Sequence, residues 1–318
     1  MAVASTSAPA ARSHQQTGDG RTSVALAELI ALRARVGSVR LPQRQSRAAR
    51  AGQQSSRLYG RGMDYAESRA YQGGDDVRRL DWRLTARSGK LHTKLFQEER
   101  EGRLLILLDT HASMHFGTRT RFKSVQAARA AALAGWLAAG AGERVGALAC
   151  GAMRASSRPQ GSSRGALALC AALANWSNDA SPDAIDEPLS AALARADRLT
   201  HGASRVLLLS DGQSCDPAAR QRLLGLARHA DVGVLIVADA LELAPPPPGR
   251  YPLEQAGDYR VVDLHGTRQR DDFQRALGAG QARLGALAQS LGLPWRSIDT
   301  SVDPLDAVST LLGARGRR

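Results

Sequence analysis

The sequence predicts an α/β fold: a mostly parallel central sheet with helices on both faces, and a β-rich element appended on its N-terminal side. Three observations carry this. From residue 103 onward, apolar runs at 103–109, 143–150, 204–210, 232–239 and 259–264 alternate with helical segments at 121–140, 163–176, 187–200, 216–230 and 270–291. Strands separated by helices of that length signal parallel crossover units. The runs, such as LLILL and VLLL, are continuously apolar, as strands are when both of their faces are covered. The apolar residues are mostly Ala, Leu and Val, and aromatics make up only 4%, which suits closely packed layers of helix on sheet.

Taken in order, residues 1–21 are rich in Ala, Ser, Gly and Gln and are expected to form a disordered tail. Residues 22–57 are expected to hold one short amphipathic helix and then a basic linker. Ser23 is the candidate N-cap, and Leu26, Leu29, Ile30 and Leu32 recur at helical spacing. Residues 58–102 form the β-rich segment. Turn signals at Gly60, Gly62, Gly73, Gly74 and Gly89 separate short stretches such as LHTKLFQEER, whose alternation favours a hairpin or edge strands. Residues 103–314 form the main domain, where Pro245 to Pro248 make a stiff surface connector after the fourth strand.

Composition narrows the function. The formal charge of +13 invites a nucleic-acid reading, yet residues 1–57 hold nine arginines against only Asp19 and Glu28, and Arg315, Arg317 and Arg318 close the chain. The excess therefore lies in the ends, without interleaved aromatics or a recognisable binding motif, so no nucleic-acid partner is expected. No apolar run approaches the length of a membrane span and the N-terminus lacks an apolar signal core, so a cytoplasmic location is expected. Cys150, Cys170 and Cys215 have neither zinc spacing nor an even count; Cys150 and Cys170 read as core residues. There is no phosphate-binding Gly-x-x-x-x-Gly-Lys loop and no Gly-x-Gly-x-x-Gly after a strand.

The chemistry that remains is at the strand ends. In an open parallel sheet, ligands bind where the strands end at their carboxyl termini. LLILLD closes on Asp109 and VLLLSDG closes on Ser210, Asp211 and Gly212. If those strands are neighbours, two carboxylates can face one point, with the Ser113 hydroxyl beside them. Hard oxygen donors of this kind suit Mg²⁺ or Mn²⁺.

The order Asp-x-x-x-Ser after the first strand and Ser-Asp-Gly after a later one resembles the metal-ion-dependent adhesion site of von Willebrand factor A domains. The stretch ESRAYQGGDDVRRLDWRLTARSGKLHTKLFQEER together with LLLDTHASMHFG is similar to the bacterial domain of unknown function 58 family, whose members carry such a domain. The likeness extends over most of residues 58–312, including Asp239 to Glu242 and SIDTSVDPLDAVSTLL. It implies a von Willebrand factor A or Rossmann-like fold and a non-enzymatic adaptor, often beside a MoxR-type AAA+ ATPase that performs any ATP hydrolysis.

Carried over residue by residue, Asp109 and Ser113 match the first and last ligands of the adhesion loop, and Asp211 matches the late aspartate. His111 stands where a serine is usual. The remaining ligand falls near DAIDEPLSAAL, with Glu187 as the nearest match and Asp186 beside it. The expected ligand set is thus Asp109, His111, Ser113, Glu187 and Asp211, holding Mg²⁺ or Mn²⁺ in preference to Zn²⁺, or a surface that has lost its metal and kept its shape. The run YQGGDDVRRLDWRLTAR is expected either to pin the β-rich segment through charge pairs, with Trp82 as an apolar anchor, or to dock a partner through Asp75, Asp76, Arg78, Asp81, Trp82 and Arg87. Two other functions stand beside the adaptor: a metal-dependent hydrolase with His111 or His115 as general base, and a nucleic-acid-associated protein acting through its basic ends.

Overall fold

The computed structural model describes residues 18–42, 63–98, 102–178, 187–200, 204–255 and 258–316. Expectations that fall on residues 1–17 and 43–62, and on Asp186, lie outside the described residues. The main sheet has six strands: β1 (Arg103–Asp109), β2 (Arg144–Cys150), β3 (Ser156–Gln160), β4 (Ser204–Ser210), β5 (Ala230–Ala238) and β6 (Trp295–Asp299). Their order across the sheet is β6-β5-β4-β1-β2-β3, with every pair parallel except β2 and β3. This is the doubly wound order, in which the chain turns back at the junction of β1 with β4.

The helices of this unit are α1 (Lys123–Gly140), α2 (Ser162–Asn178), α3 (Leu189–Leu199), α4 (Ala219–Ala227), α5 (Thr267–Leu277), α6 (Ala279–Ser290) and α7 (Leu305–Leu311). They bury the sheet from both sides because successive strand residues point to opposite faces. Leu104, Ile106, Leu108, Leu207 and Leu209 pack with the alanines of α1, with α2 and with Val308 of α7 in one core. Leu105, Leu107, Val206 and Leu208 pack with α3, α4 and α6 in the other. The architecture is the one expected, with a mostly parallel sheet covered on both faces.

The sheet differs from expectation at its edges. The run 259–264 is outside the main sheet: Asp258–Asp263 pairs antiparallel with Arg250–Gln255 as a separate hairpin, leaving Tyr259 and Val261 exposed. The place on the far side of β5 is taken by β6, whose sequence WRSID is short and polar because it is an edge strand. The opposite edge, β3, contains Pro159, and its pairing with β2 shifts register between Val145 and Ala147.

At the N-terminal side, the helix runs from Leu26 to Ala31 and continues as a 3-10 turn to Val36. Ser23 is not its cap. The Asp19 carboxylate instead accepts from the amides of Arg21, Thr22 and Ser23, so the entry is an Asx-type turn. Val24, Leu29, Leu32, Val36 and Leu41 are buried in the same core as α1 and α2. Trp136 of α1 donates its indole N–H to the Leu29 carbonyl at 3.0 Å. The expected β-rich element is the antiparallel pair Met63–Ala70 with His92–Glu98, joined by a 3-10 turn (Val77–Arg79) and a short helix (Trp82–Ser88).

Candidate functional site

The rim where β1 and β4 end carries two buried polar clusters, one on each face of the sheet. Asp109 and Ser210 lie side by side at the ends of these strands, and the Ser210 hydroxyl donates to Asp109 Oδ2 at 2.5 Å. Strand alternation puts Asp109 on the face of Leu105 and Leu107, and puts Asp211, one residue past Ser210, on the other face with Leu207 and Leu209. The two acids have no hydrogen-bond partner in common: Asp109 meets His111, Ser210 and Ser214, and Asp211 meets Lys123 and the Gln213 amide. Proximity along the sheet was legible in the sequence; the one-residue offset that separates the faces depends on register.

On the first face, Asp109 Oδ1 accepts from the His111 amide at 3.0 Å and from His111 Nδ1 at 2.7 Å. His111 Nε2 lies 3.0 Å from the Glu187 carbonyl oxygen. The ring thus lies between a carboxylate on one side and a backbone carbonyl on the other, and both of these oxygens are acceptors. Burial opposes the charge on Asp109, but the His111 ring and the Ser210 hydroxyl outweigh it and hold the carboxyl below the usual carboxylate range. The Glu187 carboxylate is turned away toward Arg195, whose Nη2 donates to it at 2.6 Å and to the Ala149 carbonyl at 2.6 Å.

On the second face, Lys123 at the first position of α1 is 1% exposed, and its ammonium donates to Asp211 Oδ2 at 2.9 Å and to Glu242 Oε1 at 2.6 Å. The Phe116 ring lies 5.7 Å from the same nitrogen. Burial lowers the Lys123 pKa, but Asp211 and Glu242 more than restore it, so the amine is held protonated above its ordinary range. Burial pushes the Glu242 carboxyl up against the pull of Lys123. Glu242 also accepts from the Asp239 amide at 2.7 Å in a capping box at the turn Ala240–Leu243. Asp239 in turn accepts from the Thr118 amide at 2.9 Å and hydroxyl at 2.6 Å. The loops after β1, β4 and β5 are thereby tied together beneath the rim.

Of the expected metal ligands, the structure brings together Asp109, His111 and the backbone of Glu187, and leaves Asp211 on the other face. Ser113 Oγ is buried and makes no hydrogen bond among the described residues. The donor set does not fit a divalent cation. Both Asp109 oxygens accept from His111 and Ser210, the Asp211 oxygens accept from the Gln213 amide and Lys123, and Glu187 is paired with Arg195. An ion bound to Asp211 would sit beside an ammonium of the same sign.

Sequence reasoning missed Lys123 and Glu242. One signal for Lys123 existed: a lysine in the first turn opposes the helix dipole and calls for compensating acid nearby. Cys150 and Cys170 are buried, and burial pushes the Cys170 thiol up to about 12 and the Cys150 thiol well above its ordinary value, so neither is a thiolate near neutrality.

The segment 75–87 is built differently from the expected charge network. Asp75 accepts from Arg69 at 2.8 Å and from the Gln72 amide, Asp76 caps the 3-10 turn at the Arg78 amide, and Asp81 caps the helix at the Leu84 amide while accepting from Ser68. These acids hold backbone turns in place. Trp82 is no anchor: it is 66% exposed, as is Val77 at 60%.

With this geometry in view, the model of the family described as "Protein of unknown function DUF58" matches residues 67–283. The chain belongs to the DUF58 family. This DUF58 protein is 30% identical over 261 residues to the uncharacterized proteins Rv1480 of Mycobacterium tuberculosis and Mb1516 of Mycobacterium bovis, covering 81% of either chain. Among solved structures it is similar to the conserved hypothetical protein BatB from Bacteroides thetaiotaomicron. That match has 15% identity and a TM-score of 0.41, over 67% of this chain and 98% of the other. It is also similar to a von Willebrand factor type A protein from Catenulispora acidiphila, at 12% identity and a TM-score of 0.38, over 70% and 43%. The strand order of the DUF58 protein rests on its own hydrogen-bonded ladders.

Proposed function

We propose that this DUF58 protein is a non-enzymatic A-type adaptor that docks a protein partner, an AAA+ ATPase of the MoxR type, through the segment Asp75 to Arg87. The observation that carries this is the exposure of Trp82 in the first turn of a helix that also holds Arg83 and Arg87, beside the exposed Val77 and Arg78. Tryptophan and arginine are the residues that most often dominate protein interfaces, and about two thirds of this indole is left open for a partner to cover. Four arginines within ten residues suit an acidic partner surface. Asp75, Asp76 and Asp81 contribute by fixing the turns that present Trp82.

The rim acids take a supporting part. Asp109, His111 and Asp211 are buried, so they set the shape of the loops and do not themselves meet a partner. The test is capture of the purified ATPase by full-length Trp82→Ala and Arg83→Glu. Each is expected to weaken binding by about thirtyfold or more, the loss of an interface hot spot, while the melting temperature stays within about 1 °C. Wild-type affinity in both variants would remove this surface from consideration.

A further inference from the structure

The buried lysine raises a question that the docking surface does not answer: why a chain would place an ammonium under the rim at which sheets of this order bind their ligands. Lys123 is 1% exposed and sits at the N-terminus of an 18-residue helix, where the dipole disfavours positive charge, and burying an ammonium is costly unless it is paired. Its two acids come from remote parts of the chain, Asp211 after β4 and Glu242 after β5, and are themselves 2% and 4% exposed. Each acid has a second bond that fixes its direction: Asp211 to the Gln213 amide at 2.9 Å, Glu242 to the Asp239 amide at 2.7 Å. Two converging, preoriented carboxylates thus hold a single positive charge between them.

We infer that the Lys123 ammonium is a built-in substitute for a divalent cation, closing the site formed by Asp211 and Glu242 and making the rim independent of metal. The substitution is chemically sound. Like a metal ion, the ammonium offers several directions of bonding and ties the loop after β4 to the turn after β5. Unlike a metal ion, it is delivered by the chain and leaves no open position for a partner's carboxylate. It also supplies one charge where two carboxylates can carry two. A divalent ion would balance the pair. Removing the lysine side chain while leaving space for water should therefore uncover a site for Mg²⁺ or Mn²⁺.

The experiment uses the full chain, wild type, Lys123→Ser and Lys123→Met, titrated with Mn²⁺ and followed by electron paramagnetic resonance and by melting in Mn²⁺ or EDTA. The wild type is expected to bind no stoichiometric Mn²⁺ and to melt at the same temperature in both. Lys123→Ser is expected to melt lower in EDTA, to bind one equivalent of Mn²⁺, and to regain at least about 5 °C when the ion is in large excess over its Kd. Lys123→Met fills the volume with an apolar chain, so it is expected to be destabilised without rescue. One tightly bound equivalent in the wild type, lost in Asp211→Asn, would overturn the inference, as would a folded Lys123→Ser that ignores Mn²⁺. If Lys123→Ser does not fold in EDTA, recovery of folded protein on refolding with Mn²⁺ supports the inference. Failure in both conditions leaves the wild-type titration, which decides alone. The readout is metal binding rather than partner capture, so its outcome is separate from that of the Trp82 test.

Discussion

Asp109 and His111 form a buried carboxylate–imidazole pair two residues apart, and the direction of its pH dependence follows from the lowered Asp109 pKa. A carboxyl whose folded value is depressed contributes its full stability above the unfolded value of about 3.9, and that contribution fades as pH falls through the lower folded value. Asp109→Asn removes the buried carboxylate that holds the His111 ring and the Ser210 hydroxyl and is expected to cost about 3–5 kcal/mol at pH 7. Urea unfolding at pH 7 and pH 3 checks it: the gap between wild type and variant narrows at the lower pH. Lys123, raised above its ordinary value of about 10.4, has the opposite sign, so its share persists through neutrality and is lost only on the far alkaline side. At this scale the sequence was informative about where polar groups sit and poor about whom they meet. Asp109 and Asp211 were visible because each ends an apolar run. The Lys123 bond was not, because its partners are 88 and 119 residues away and a lone lysine in an alanine-rich helix reads as solvent-facing.

The loop that follows β4 shows how an element is positioned by the absence of a side chain. Gly212 has φ +79°, and a Cβ there would stand 2.2 Å from the Gly280 carbonyl oxygen of α6. Gly212→Ala is thus expected to lower stability by at least about 2 kcal/mol, through both strain and displacement of α6 from the rim. Gly225, inside α4, where an added methyl would meet no atom within 4 Å, is the control: Gly225→Ala is expected to raise stability by about 0.5–1 kcal/mol in the same urea assay. The strands β1, β4 and β5 were legible because both faces are covered and the runs are unbroken. Strand β6 was not, since WRSID buries little and follows Pro294. The run 259–264 misled for the converse reason: YRVVD has strand character, but the strand belongs to a hairpin with Arg250–Gln255 and leaves Tyr259 in water.

Across the whole molecule, the N-terminal stretch is part of the body rather than an accessory. Leu29 is fully buried against α1, so Leu29→Ala is expected to cost about 2–5 kcal/mol, read as a shift of the urea midpoint without a change in slope. That role was partly legible, since Leu29 and Leu32 lie on one helical face, but no local pattern says that the face is received by Trp136, more than a hundred residues away. The arginine excess of the ends is likewise a property of the chain as a whole, distinct from the nearly balanced sheet domain. The outermost strand β3 has its own consequence at this scale. Pro159 has no amide hydrogen to donate and the pairing with β2 is shifted, features that discourage a second molecule from adding a strand there. An edge of this kind favours self-association through side chains over the stacking of backbones, and it works against ordered aggregation at that border.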